Sequence, residues 1–124
     1  MPEVTPPSWS TQVRVASALT MLAALWLIAA PFVLGYASLP GPTVTDVMIG
    51  LIVLVLAGIR LAGPFQLVGL SWLIAGLGLW LVLAPFVFGY SLASAPTSND
   101  VGMGVVIAAL GAWSALATAW APTI

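Results

Sequence analysis

The stretch WLIAAPFVLGY at Trp26–Tyr36 returns as WLVLAPFVFGY at Trp80–Tyr90, 54 residues later. The same shift aligns residues 17–62 with residues 71–116, without a gap and with 17 identities in 46 positions. The identities include Trp, Pro, Phe, Gly, Tyr and Asp, which a merely hydrophobic composition does not place in register. We therefore predict an internal duplication.

The composition around this repeat is typical of a membrane protein. Hydrophobic residues make up 62% of the 124 residues and charged residues 4%, whereas soluble proteins contain about 25% charged residues. The net charge is −1, and the charged side chains are Glu3, Arg14, Asp46, Arg60 and Asp100. A surface this poor in charge has to face lipid, so we predict an integral membrane protein.

The missing residue types limit the chemistry. The chain contains no His, Cys or Lys, so it lacks strong ligands for haem, zinc, copper and iron–sulfur clusters and a Schiff-base lysine. Ser, Thr and Tyr without such partners do not readily form an activated nucleophile. We expect no enzyme activity, no metal, no cofactor and no nucleic-acid partner. Contacts with a lipid, quinone or pigment stay open.

Four apolar segments match the length of about 20 residues that a helix needs to cross a bilayer. Pro and Gly interrupt the chain between them. The segments are roughly Val13–Leu34, Val44–Ala62, Leu67–Phe88 and Val101–Ala119. We predict an all-α, polytopic protein with four transmembrane helices. They form two tandem two-helix hairpins, and the even number of spans in each hairpin gives both the same, parallel orientation.

This interpretation divides the chain into four parts. The parts are a polar, Pro-rich tail (1–12), a first repeat (13–62), a connection that includes the start of helix 3 (63–70) and a second repeat (71–124). Both arginines fall on the side that holds the two termini. The positive-inside rule then predicts a bacterial cytoplasmic (inner) membrane with cytoplasmic N- and C-termini. We expect the Arg60 side chain to extend toward the headgroups.

The repeated motif resembles the SPW repeat family of small bacterial integral membrane proteins. That family is named for a Ser-Pro-Trp motif at the end of the first helix of each unit. The matching residues here are Ala30-Pro31-Phe32 and Ala84-Pro85-Phe86. The repeated Trp, Gly, Tyr and Asp residues around them match as well. The resemblance implies a four-helix membrane module with two tandem repeats, and it implies no particular reaction.

The repeated prolines and aspartates have structural and functional interpretations. Pro31 and Pro85 predict helix kinks, and the alternative is a ligand cleft at the carbonyls that they leave without a donor. Asp46 and Asp100 directly precede apolar runs, so we predict that they cap helices 2 and 4. Cation binding at the outer mouth is the alternative. A proton relay needs a second ionisable group deep in the membrane, and neither span provides one.

The aromatic residues are expected to pack or to anchor the helices. Trp26 and Trp80 lie within the hydrocarbon, where core packing is the default and a quinone or pigment contact is the alternative. The predicted interface anchors are Trp9, Trp72 and Trp120 on the inner side and Tyr36 and Tyr90 on the outer side.

Small residues on helix 4 indicate the mode of helix association. They form a face on which another helix can approach closely, and they are Gly104, Ala108, Gly111, Ala112, Ala115 and Ala119. Packing inside the bundle and packing against a partner both fit this face. We expect a non-catalytic accessory or scaffold subunit that contacts membrane lipids and packs against a larger integral membrane protein complex. The alternative is a small channel or carrier that works as a homo-oligomer.

Overall fold

A computed structural model describes residues 9–63 and 68–119, which form four α-helices. The helices are α1 (Trp9–Val33), α2 (Pro40–Ala62), α3 (Val68–Val87) and α4 (Ser94–Ala119). All four are long and apolar enough to cross a membrane. The predicted all-α architecture, with four helices long and apolar enough to cross a membrane, is therefore confirmed. α1 packs against α2 and α4, and α3 packs against α4 and α2, so the helices form a ring of four contacts.

Three helices begin earlier than the apolar segments suggest. α1 starts at Trp9 instead of Val13, α2 starts at Pro40 instead of Val44, and α4 starts at Ser94 instead of Val101. Proline in a first turn lacks only an N–H that has no helical acceptor there, so it does not break the helix. The prolines that mark a break in the sequence thus lie inside the first turns of α2 and α4.

The α1–α2 connection is a tight turn closed by its own backbone. Gly35 has a φ of 83°, a left-handed conformation that favours glycine. The carbonyl of Tyr36 accepts bonds from the Leu39 amide at 2.9 Å and the Thr43 hydroxyl at 3.0 Å. The α3–α4 connection has the same bonds in residues 54 positions later, namely Gly89, Tyr90, Ala93 and Thr97.

The small-residue face of α4 packs against α3 within the chain. A Cβ on Gly104 would lie 2.6 Å from the Gly78 carbonyl oxygen, and a Cβ on Gly111 would lie 2.6 Å from the Ala75 amide nitrogen. Gly78 is in equally close contact with the backbone of Ala108. At Gly104, Ala108 and Gly111 the face therefore packs inside the bundle, which is one of the two predicted alternatives, and it is not free for a partner.

The rest of that face adds little free surface. Ala115 is buried and Ala112 is half-buried, and the Ala119 side chain lies outside the described part.

The core along the middle of the bundle consists of Ala, Leu, Ile and Val side chains. They are Ala23, Ala24, Leu27, Ile49, Val53, Ala57, Ile74, Leu81 and Ile107.

Candidate functional site

Two aspartates meet inside the bundle at the end where the two tight turns lie. Asp46 and Asp100 are both 0% exposed. The Tyr36 hydroxyl donates a hydrogen bond to Asp46 Oδ2, and the Tyr90 hydroxyl donates one to Asp100 Oδ2. Because α2 starts at Pro40 and α4 at Ser94, each aspartate lies in the second turn of its helix. The prediction that they cap the helices is wrong, since the N-cap of α2 is Leu39.

An asparagine connects the two halves of this arrangement. Asn99 Nδ2 donates to the Tyr36 hydroxyl oxygen at 3.1 Å, and Asn99 Oδ1 accepts from Trp26 Nε1 at 2.9 Å. The network therefore runs from α1 through α4 to the α1–α2 connection. We call Tyr36, Asp46, Tyr90, Asn99 and Asp100 the carboxyl site.

The remaining carboxyl oxygens have no partner of their own. Asp46 Oδ1 and Asp100 Oδ1 are buried and accept no hydrogen bond from any described residue. The Tyr36 hydroxyl bonds to both Asp46 and Asn99, and Asn99 directly precedes Asp100, so one hydrogen-bond network connects the surroundings of the two aspartates. An unpaired buried carboxyl oxygen is costly, so this pair of carboxyls is the chemically unusual feature of the bundle.

The two tyrosines are internal hydrogen-bond donors. Burial, followed by the hydrogen bond to Asp46, raises the pKa of Tyr36 well above its usual range. Burial and the hydrogen bond to Asp100 raise the pKa of Tyr90 in the same way. Both phenols therefore keep their protons and donate. The expectation that they anchor at the interface is wrong for Tyr36, which is 3% exposed, and the hydroxyl of the half-buried Tyr90 also bonds inside the protein.

The two outer interfaces between the hairpins differ. At the α1–α4 interface the Trp26 indole bonds to Asn99, whereas the residue that corresponds to Asn99 in α2 is Thr45. Trp80 corresponds to Trp26, and its indole N–H has no hydrogen bond to any described residue. A cleft of about 300 Å³ lies there instead, lined by Val44, Thr45, Met48, Ile49, Ile52, Leu77, Trp80 and Phe88. The α2–α3 interface is therefore open beside Trp80, whereas the corresponding Trp26 at the α1–α4 interface is bonded to Asn99.

The tryptophans also correct the expectation of core packing, because Trp26 is 38% exposed and Trp80 is 39% exposed. Their matched exposure makes a controlled comparison. Trp26→Phe removes a hydrogen bond and should cost about 0.5–1.5 kcal/mol of unfolding free energy. Trp80→Phe removes none, keeps its edge contact with Phe88 and should cost less. SDS-driven unfolding in mixed micelles measures both, and equal losses would contradict the assigned role of the Trp26–Asn99 bond.

Arg60 forms a second polar cluster at the opposite end of the bundle. It is 0% exposed, so the expectation that it reaches the headgroups is wrong. Its Nε donates to Ser71 Oγ at 2.9 Å, and a terminal nitrogen donates to Thr118 Oγ1 at 2.5 Å. Ser71 also shares a hydrogen bond with Ser114 at 2.9 Å. We call these four residues the arginine cluster, and they join α2, α3 and α4.

The other predicted site residues are not brought into either cluster. Pro31 and Pro85 are buried inside α1 and α3, two residues before the last helical residue, and their effect on helix bending stays a prediction. Trp72 is exposed. Trp120 and the side chain of Trp9 lie outside the described residues. Within the described ranges, no group of three or more His, Cys, Asp or Glu side chains could hold a metal ion.

The carboxyl site could have been found from the repeat itself. If the two hairpins have the predicted parallel orientation, they are related by an axis along the membrane normal, and equivalent residues near that axis approach each other. Asp46 and Asp100 are equivalent residues, 54 positions apart. The sequence argues against a proton relay because no second ionisable group lies deep in the span of either aspartate. Asp100 is that second group for Asp46, and Asp46 is that group for Asp100, although they lie on different helices. Nothing in the sequence singled out Asn99, because Thr45 replaces it in the other half.

Comparison with known proteins gives one match. A family model described as the SPW repeat domain matches residues 14–114, which confirms the resemblance of the repeated motif. No curated protein and no solved structure matches the chain.

Proposed function

The chain belongs to the SPW repeat domain family, and on that premise we propose that it is a non-catalytic integral membrane subunit. In this proposal it packs beside a larger integral membrane protein and positions lipid around it, with no cofactor of its own. The membrane is the bacterial cytoplasmic membrane and both termini are cytoplasmic. The placement of Arg14 and Arg60 toward the side of the termini supports this orientation.

The proposal includes a duplicated architecture, with two tandem hairpins in parallel orientation. Equivalent contacts support it. Tyr36 bonds to Asp46 as Tyr90 bonds to Asp100, and the turn glycines Gly35 and Gly89 have φ angles of 83° and 79°. Identical bonds at positions 54 residues apart are what a duplicated hairpin would retain.

The observation that carries the proposed function is the open α2–α3 interface. The small residues of α4 are packed against α3 inside the bundle, so a partner protein has to bind another surface. The cleft beside Trp80 provides one, because its lining is apolar except for Thr45 and the unpaired indole N–H. A helix from a larger protein can fill such a cleft and offer a carbonyl or hydroxyl acceptor to that N–H. At the corresponding position of the α1–α4 interface, the Trp26 indole is already bonded to Asn99.

A pair of equivalent positions provides the test. Ile52 lines the cleft and is 43% exposed, whereas Val106 lies 54 positions later on α4 and is 44% exposed. A photoreactive p-benzoylphenylalanine at position 52 should cross-link to a larger membrane protein in cells, and the same group at position 106 should not. Ile52→Trp fills the cleft and should abolish stoichiometric copurification of that protein in mild detergent, while Val106→Trp should preserve it.

Other outcomes decide against the proposal. Cross-linking at position 52 only to a second copy of the chain would favour the small oligomeric channel or carrier. Equal labelling at positions 52 and 106, or copurification that survives Ile52→Trp, would show that the cleft is not the contact surface.

A further inference from the structure

The carboxyl site holds two like-charged groups that water does not reach. Asp46 and Asp100 are each 0% exposed, and each uses Oδ2 to accept a bond from a tyrosine. Their Oδ1 atoms are left without a donor from any described residue. Asn99, next to Asp100, also bonds to the tyrosine that holds Asp46, and two carboxylates buried in one such network without a counter-charge repel each other, so the site does not hold both charges.

We propose that Asp46 and Asp100 form a binding site for a single proton, held between their Oδ1 atoms. One carboxyl is then an acid that donates an O–H bond, and the other is a carboxylate that accepts it. This arrangement satisfies both orphaned oxygens at once and leaves one negative charge at the site. The Tyr36 and Tyr90 hydroxyls stabilise that charge through Oδ2. The proposal is independent of any partner at the cleft.

The surroundings favour a proton over a metal cation. A hard cation such as Na⁺ or Ca²⁺ needs about six oxygen ligands, whereas a proton needs two. The described groups facing the pair are Tyr36 and Tyr90 from the turns, Asn99 from α4 and Thr45 from α2. The tyrosine hydroxyls already donate, and Asn99 directs its amide N–H toward Tyr36. The two Oδ1 atoms are the buried carboxyl oxygens that receive no hydrogen bond from these groups.

No opposite charge from a described neighbour compensates the pair. α3 has no ionisable residue, and the only charged residue in α1 is Arg14 in its first turns. Arg60 lies 14 residues beyond Asp46 on α2, about 21 Å along the helix. The single proton is therefore the means by which the site lowers its charge.

The site makes the stability of the bundle depend on pH. The direction of this dependence follows from which state, folded or unfolded, binds more protons. In the unfolded chain both carboxyls lose their protons at about pH 4. The folded site keeps one proton to higher pH, so the folded state binds more protons in that interval. Stability must then fall as the pH rises, until the site releases its proton. The loss of stability weakens the contact between the two hairpins, because Asp46 belongs to one hairpin and Asp100 to the other.

Infrared spectroscopy of the full chain tests the proposal directly, because the side-chain carboxyls are limited to Glu3, Asp46 and Asp100. At pH 8 in lipid nanodiscs, the wild type should show a carboxylic-acid C=O band. Asp46→Asn and Asp100→Asn should each lose this band, since the amide donates to the remaining carboxylate in place of the acid. The control Glu3→Gln should retain it.

Thermal unfolding between pH 6 and pH 9 provides the second readout. The melting temperature of the wild type should fall with rising pH, and those of the two Asp→Asn variants should stay level. Absence of the acid band in the wild type would overturn the proposal, and so would a band that persists in both single variants. A change in the carboxylate bands on adding Na⁺ or Ca²⁺ at constant pH would assign the site to a metal cation instead.

Discussion

Gly78→Ala is expected to lower the unfolding free energy of the bundle by about 3 kcal/mol, at the upper end of the usual cost of overpacking. The added Cβ would lie 2.7 Å from the carbonyl oxygen of Gly104 and closer still to the Ala108 amide. These are backbone atoms of α4, which cannot turn aside as a flexible side chain does. The α3 and α4 helices would have to separate at the closest of the contacts that the described glycines make.

Gly76→Ala is the matched control for this experiment. Gly76 lies two residues earlier on α3, and a Cβ there would meet nothing within 4 Å. Alanine is the better helix former by about 1 kcal/mol, so this variant should be as stable as the wild type or more stable. SDS-driven unfolding in mixed micelles gives both values. A Gly78→Ala variant as stable as Gly76→Ala would mean that α3 and α4 do not approach as described.

Arg60→Ala should cost about 2–5 kcal/mol of unfolding free energy, because it empties a fully buried volume and removes the donors to Ser71 and Thr118. Arg60→Met fills much of that volume without donors, so we expect a smaller loss. Arg14→Ala is the control, since it removes the only other arginine from an exposed position and should change stability by about 0.5 kcal/mol or less.

Reconstituted protein should be used for the arginine variants, so that changes in membrane insertion do not enter the measurement. Unfolding in mixed micelles, monitored by circular dichroism, provides the free energies. If Arg60→Ala and Arg14→Ala lose the same small amount, Arg60 is a surface residue and the arginine cluster is not a structural element.

The helices could be predicted from the sequence because lipid imposes a simple rule on length and composition. The segments ending at Ala62 and near Val87 match α2 and α3 closely at their C-terminal ends. The first residues of α2 and α4 are harder to predict from the sequence, because Pro40 and Pro96 lie in first turns where proline is tolerated. That shift of one to two turns moved Asp46 and Asp100 from the helix ends into the bundle.

The polar sites depend on contacts that no local pattern encodes. A buried arginine and a headgroup-facing arginine look alike in a sequence, and only the hydroxyls of Ser71 and Thr118 on other helices decide for burial. Tyr36 likewise has the composition and position of an interface residue, and its bond to Asp46 becomes apparent only after the turn at Gly35 folds it inward. The small residues of α4 predict a close helix contact, but the sequence does not decide between α3 and a partner as the neighbouring helix.

The apolar middle of the bundle has an electrical consequence. Between Asp46 and Arg60, about 21 Å apart along α2, the core cluster consists of aliphatic side chains such as Leu27, Val53 and Leu81. An inorganic ion among these aliphatic side chains would lose its hydration shell, and they offer it no ligand in return. The aliphatic cluster therefore opposes the passage of an inorganic ion between the two polar ends of the described bundle.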